Sequence, residues 1–182
     1  MKKLLNYAIL SVMVLGTAMT SCKKDSNNGG GSVSAGSLTP GQSIVKANIS
    51  GAHSTSYEST TIMSQATKAG NLIMLTSVKQ PALPDLTVDQ FIIYLPADIQ
   101  TGTFKTTDIT AAGGGIFTFA HTASAGGTAK GWQADPDGET VFNFTITKAT
   151  ATEIEGTFTG EMSNDNDNTK VSATGSFAGK FQ

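Results

Sequence analysis

The chain has 182 residues, with 12 lysines against 14 acidic residues, a formal net charge of −2 and no arginine. A mildly acidic surface without guanidinium groups to grip phosphate argues against a nucleic-acid ligand. Only 14% of residues are charged and there is one cysteine, so no disulfide can form within the chain and its stability must come from a core.

The first 21 residues are expected to be an export signal. Lys2 and Lys3 supply a positive start, and Leu4 to Gly16 is an apolar run. Thr17-Ala18-Met19-Thr20-Ser21 then narrows toward small residues ahead of Cys22. The run is too short for a membrane-crossing helix, which needs roughly 20 apolar residues. The order instead predicts a bacterial lipoprotein signal, cleaved before Cys22, with a diacylglyceryl group on the thiol and a palmitate-type chain on the new amino terminus. Several acyl chains together make a stable membrane anchor. The mature chain would carry a side-chain charge of −4, with no polybasic segment to attract anionic lipid, so the acyl groups alone would hold it to the membrane.

Residues 22–43, the lipidated cysteine followed by Gly, Ser, Asn and Lys, are expected to form a flexible tether with a reach of about 25 Å. Residues 44–182 are expected to form one all-β domain, because Thr, aromatic residues and Gly abound and helical periodicity is missing. Ile44–Ser50 opens it, and Tyr57–Gln65 is a weaker strand. Asn71–Val78 and Gln90–Leu95 are apolar on both faces and read as central strands. Pro81-Ala82-Leu83-Pro84-Asp85 interrupts pairing between them. Thr103–Thr107, Ile116–His121 and Ala129–Ala134 are shorter, and Asp135-Pro136-Asp137-Gly138 is a turn signal.

The last third alternates cleanly. Phe142, Phe144 and Ile146 share one face; so do Ile154, Gly156, Phe158, Gly160 and Met162. Val171, Ala173, Gly175, Phe177, Gly179 and Phe181 form the third set. This predicts a half-buried antiparallel meander. Its register can be argued from the glycines. Pairing Phe158 with Gly175 and Phe177 with Gly156 lets each ring cover a glycine across the ladder, and it sets Glu153 against Lys180. A two-residue slip would face Phe158 with Phe177 instead. Closure into a lipocalin-like barrel of about eight to ten strands is favoured over a β-sandwich, because closure removes exposed edges.

The chain resembles a family of uncharacterised Bacteroidota lipoproteins. The resemblance rests on the Ser21-Cys22-Lys23-Lys24-Asp25 anchor, the opening Lys46-Ala47-Asn48-Ile49-Ser50-Gly51 and the Thr101-Gly102-Thr103-Phe104 element. It continues through Val141–Lys148, Ile154–Phe158 and Val171–Phe177. It implies a lipocalin-like antiparallel β domain and brings no catalytic residues with it. In such bacteria surface-export signals tend to be acidic, whereas Lys23-Lys24-Asp25 is mostly basic. An outer-membrane lipoprotein facing the periplasm is therefore expected, with surface display as the alternative.

Few residues suggest chemistry. His53 and His121 are the only imidazoles, and no nucleophile elbow accompanies them. Trp132, with Tyr57 and Tyr94, offers an aromatic platform or a packed core, so Trp132, Tyr57 and His121 are the candidate ligand-binding residues. Asn164-Asp165-Asn166-Asp167-Asn168 alternates oxygen donors but lacks the glycine and terminal glutamate of a calcium loop, and a hairpin turn explains it. Glu153, Glu155 and Glu161 line one solvated face. No metal site or cofactor is expected. The reading is a non-enzymatic, membrane-anchored module binding a small apolar ligand, a glycan or an envelope protein. A structural subunit of an outer-membrane complex is the alternative, and a hydrolase a more distant one.

Overall fold

Alternating side chains fold this chain into one antiparallel sheet curled into a half-barrel. The computed structural model describes residues 32–79, 87–108, 116–123, 129–134, 141–164 and 166–182. Cys22, the signal segment, Pro81–Asp85 and Asp135–Gly138 lie outside the described residues. The strands are β1 (Ser43–Gly51), β2 (Thr55–Glu58), β3 (Gln65–Ala69), β4 (Leu72–Lys79), β5 (Val88–Pro96) and β6 (Gly102–Lys105). They continue with β7 (Ile116–Thr122), β8 (Ala129–Gln133), β9 (Phe142–Ala149), β10 (Glu153–Ser163) and β11 (Lys170–Lys180). No helix among the described residues is long and apolar enough to cross a membrane.

The strand order is β2-β1-β11-β10-β8-β7-β5-β4-β3, with β9 on β10 and β6 on β9. Strand β10 changes neighbour along its length, pairing with β9 from Ile154 to Gly160 and meeting β8 at Ser163 opposite Gln133. The far edge returns to the first strand: Gln42 bridges Gln65, and Ala66 N–H donates to the Gly41 carbonyl at 2.9 Å. This contact covers part of an edge that would otherwise offer unpaired backbone groups.

The register of β10 and β11 is the one the glycines predict. Phe158 faces Gly175, Phe177 faces Gly156, and Glu153 faces Lys180. The rings sit so close that a Cβ on Gly156 would meet Phe177 Cζ at 2.6 Å, and one on Gly175 would meet Phe158 Cζ at 2.8 Å. Phe91, Phe117, Phe119, Phe142, Phe144, Phe158 and Phe177 are all buried and fill the concave face with ring-to-ring contacts. Each such side chain contributes roughly 1.5–3 kcal/mol by leaving water. In β4 and β5 only the inward residues are buried: Ile73, Leu75 and Ser77, then Asp89, Phe91, Ile93 and Leu95. Outward Leu72, Met74, Ile92 and Tyr94 are half-buried, so these strands are not covered on both faces.

Two further segments differ from the sequence reading. The single weak strand at Tyr57–Gln65 is two strands, β2 on β1 and β3 on β4, with a 3-10 turn at Thr61–Met63 between them. Inward hydroxyls pin this corner: Ser59 Oγ accepts from Val45 N–H at 2.8 Å, and Ser64 Oγ accepts from Val78 N–H at 3.1 Å. The second difference is at the tether, whose last residues are docked. Ala35 and Leu38 are buried against Ala178, and Glu155 Oε1 accepts from Ser34 Oγ at 3.0 Å and Ala35 N–H at 2.8 Å. The packed unit therefore starts at Val33 rather than Ile44.

This strap joins the end of the sheet that carries Ser43, Leu72, Pro96, Glu153 and Lys180. The opposite end, the distal rim, carries Gly51, Lys79, Asp89, His121 and Ser163.

Candidate functional site

Three polar side chains converge at the distal rim. In β5 the inward positions run Leu95, Ile93, Phe91 and then Asp89, which is only 9% exposed. In β7 they run Phe117, Phe119 and then His121, the last two polar groups ending otherwise apolar faces. The β5–β7 ladder sets Asp89 directly opposite His121, and His121 Nδ1 lies 2.7 Å from Asp89 Oδ1. The third group, His53, comes from the turn between β1 and β2.

Gly51 makes that turn possible. Its φ of +108° suits glycine, and a Cβ there would stand 2.8 Å from the Lys170 carbonyl oxygen. Ala52 N–H donates to the same carbonyl at 3.0 Å, which directs the following residue back over the strand ends. The His53 ring then lies 4.1 Å from His121 by centroids, 5.6 Å from Phe119 and 6.0 Å from Trp132. Its Nε2 is buried, has no hydrogen-bond partner among the described residues, and lies 3.9 Å from Asp89 Oδ1.

The surroundings of His53 disfavour its charged form. Burial is the main cause lowering its pKa below 6.5, His121 and Lys79 add to it, and Asp89 opposes it. Lys79 stands opposite Asp89 across β4–β5, but its ammonium turns onto β2, donating to Ser56 O at 2.7 Å and Thr55 Oγ1 at 3.2 Å. Lys130, opposite His121, turns to Asp167 Oδ2 at 3.2 Å.

The residues singled out from sequence separate here. His121 is at the rim, whereas Trp132 and Tyr57 lie beneath it at 2% and 1% exposure. Trp132 Nε1 donates to Thr169 Oγ1 at 3.0 Å, and the Tyr57 hydroxyl donates to the Ser77 carbonyl at 2.6 Å, while burial pushes the phenol pKa well up. Neither ring is an open platform; Trp132 and Phe119 wall the cluster instead. Asp89 falls outside the strand that the sequence places at Gln90–Leu95, because β5 begins two residues earlier, at Val88. Its signal was legible in the alternation Asp89, Phe91, Ile93, which puts an acid on an apolar face.

Among the described residues no hydroxyl or thiol is hydrogen-bonded to either imidazole, so no nucleophile–histidine–acid relay is assembled there. In the Asn164–Asn168 loop Asp165 lies outside the described residues. Asn164 Oδ1 accepts from Asn166 N–H and Asp167 N–H, and Asp167 Oδ1 accepts from Thr169, which holds its carboxyl below the usual range. These oxygens are engaged in closing the turn. Two recesses of the described surface lie toward the strap end, one around Lys68, Ile99 and Glu153 and one beside Gln42 and Gln65.

Comparison with known protein families, with curated proteins and with solved structures returned no match. The chemistry of the rim therefore follows from its own geometry.

Proposed function

We propose that this chain is a lipid-anchored envelope protein, held through Cys22 to the outer membrane and facing the periplasm, whose β domain is a non-enzymatic binding module working through the distal rim. The observation that carries the reading is the contrast within one concave face. Aromatic rings are buried along it from the strap end upward, and polar groups end it at the rim. Inward polar groups cost stability unless partnered, so an acid and two imidazoles gathered there are the mark of a site. The strap supports the same reading: the anchored chain reaches the domain at one end, and His53, Asp89 and His121 stand at the other.

The test has two arms. Cys22→Ala is expected to move the protein from the membrane fraction to the soluble fraction and to abolish labelling with radioactive palmitate; membrane retention without label would refute the anchor. Cross-linking and purification of the full chain from native membranes, with mass spectrometry of proteins and small molecules, should capture a species that His121→Gln no longer retains. A second reading, an assembly subunit, is favoured by the adjacent half-buried Leu72, Met74, Ile92 and Tyr94 on the outer face of β4 and β5. Capture lost with Ile92→Lys and kept with His121→Gln would move the working surface there.

A further inference from the structure

We infer that His53 Nε2, Asp89 Oδ1 and His121 Nδ1 form a three-ligand site for a divalent transition-metal ion of the zinc type, with a fourth position open at the rim. The inference deepens the binding-module reading and rests on it for the choice of this rim as the working face. The three donor atoms lie within 4.8 Å of one another. Two imidazole nitrogens and one carboxylate oxygen suit Zn²⁺, Ni²⁺ or Cu²⁺, whereas Ca²⁺ and Mg²⁺ require a shell dominated by oxygen.

The spacing agrees with that chemistry. Zinc bonds of about 2.0–2.1 Å to nitrogen and oxygen give a tetrahedral edge of about 3.3 Å. The two separations from Asp89 Oδ1, 2.7 Å to His121 and 3.9 Å to His53, fall on either side of that edge, within a donor set that spans no more than 4.8 Å. Shifts of about 0.6 Å in side chains at the ends of strands and in a turn would equalise them. Metal binding at His121 Nδ1 would place the ring's proton on Nε2, leaving a neutral imidazole as the ligand.

Two features of the arrangement would be relieved by a cation. Among the described residues the buried Nε2 of His53 has no hydrogen-bond partner, and the nearly buried Asp89 carboxylate is hydrogen-bonded to one imidazole, on an otherwise apolar strand face. The surroundings also hold the ligands in place. Phe119 and Trp132 pack the His53 ring, Gly51 sets its approach, and the ladder fixes Asp89 opposite His121. The two nearby ammonium groups are turned elsewhere, Lys79 onto β2 and Lys130 onto Asp167. Three protein ligands with an open position are the pattern of an exchangeable site rather than a closed structural one. The group that fills the opening would be an anionic or nitrogen donor on the bound partner.

The full chain, purified in detergent and stripped with a chelator, should be titrated with zinc chloride by calorimetry, with metal counted by mass spectrometry. One zinc per chain at micromolar affinity or tighter is expected, with calcium chloride giving no heat. His53→Gln and His121→Gln should each weaken zinc binding by at least roughly tenfold. His53 lies in a turn, so His53→Gln should keep the wild-type circular dichroism while losing the rise in Tm that zinc produces. No zinc binding, or binding unchanged in both variants, overturns the inference. If zinc is not bound but His121→Gln still loses a captured species, the metal inference fails alone. If zinc is bound and nothing larger is ever captured, the metal site stands and the larger-partner reading fails.

Discussion

The β10–β11 hairpin and the β5–β7 pair line the same core but end differently. In β10 and β11 the inward positions are apolar or glycine from Ile154 to Met162 and from Val171 to Gly179, with Phe158 and Phe177 each lying over a glycine of the opposite strand. In β5 and β7 the same alternation runs through Ile93, Phe91, Phe117 and Phe119, then stops at Asp89 and His121. One pair uses its inward face to fix register; the other uses the last rung to expose chemistry. A rule kept along one ladder and broken at the end of another points to where selection favours something other than stability.

The sharpest way to break this comparison is to crowd the hairpin. Gly175→Val would drive a side chain into the Lys46 carbonyl, Phe158 Cζ at 2.8 Å and Ala47 Cα at 2.9 Å. Two of those obstacles are backbone, so relaxation is limited and a loss of about 3 kcal/mol or more is expected in urea unfolding. A loss below about 1 kcal/mol would show that the ring-over-glycine register is not what holds the hairpin.

The rim should respond in the opposite way. Asp89→Leu combined with His121→Phe extends the apolar faces of β5 and β7 and removes both polar partners together. Unfolding free energy within about 1 kcal/mol of wild type, or higher, is expected, because replacing a buried polar pair by apolar groups is often neutral or stabilising. A cost equal to that of Gly175→Val would make the cluster a structural fastener.

The smallest effect sharpens the contrast through pH. The His53 imidazole has its pKa held below 6.5 in the fold, chiefly by burial, so near and below that pH the unfolded chain binds the proton more readily. The stability His53 contributes is complete above 6.5 and is lost as pH falls toward the folded value. Urea midpoints taken at about pH 7.5 and about pH 5.5 should therefore fall more in the wild type than in His53→Gln. Equal slopes would remove His53 from the account.

The hairpin was readable in advance because register there is a local problem. Ring size, glycine position and period-two alternation all lie within the stretch from Glu153 to Lys180, and they specify one pairing. The corner at Thr61–Met63 was not readable in the same way, since Ser59 and Ser64 matter through backbone partners Val45 and Val78 far along the chain. The strap was hidden by composition: a Gly- and Ser-rich stretch reads as a solvated spacer, yet Ala35 and Leu38 need only one small apolar seat and the Glu155 carboxylate to dock. At the site, both histidines were visible as residues but not as neighbours. Their meeting depends on β1, β5 and β7 closing together at one end, a long-range consequence of topology.

The strap has a mechanical consequence. A pull on the chain from upstream of Ser34 first meets the two hydrogen bonds to Glu155 and the small seat of Ala35 and Leu38. These can peel away one after another, at low force. Load then reaches Gly41 and Gln42, which are tied to β3 and Lys180, and passes into β1, hydrogen-bonded to β11 from Ser43 to Gly51 and to β2 from Lys46 to Ile49. Tension along that strand loads its ladder bonds in shear, many at once, while Asp89 and His121 sit on strands outside the direct line of force. The strap thus acts as a sacrificial link, lengthening under strain before the sheet or its rim is disturbed.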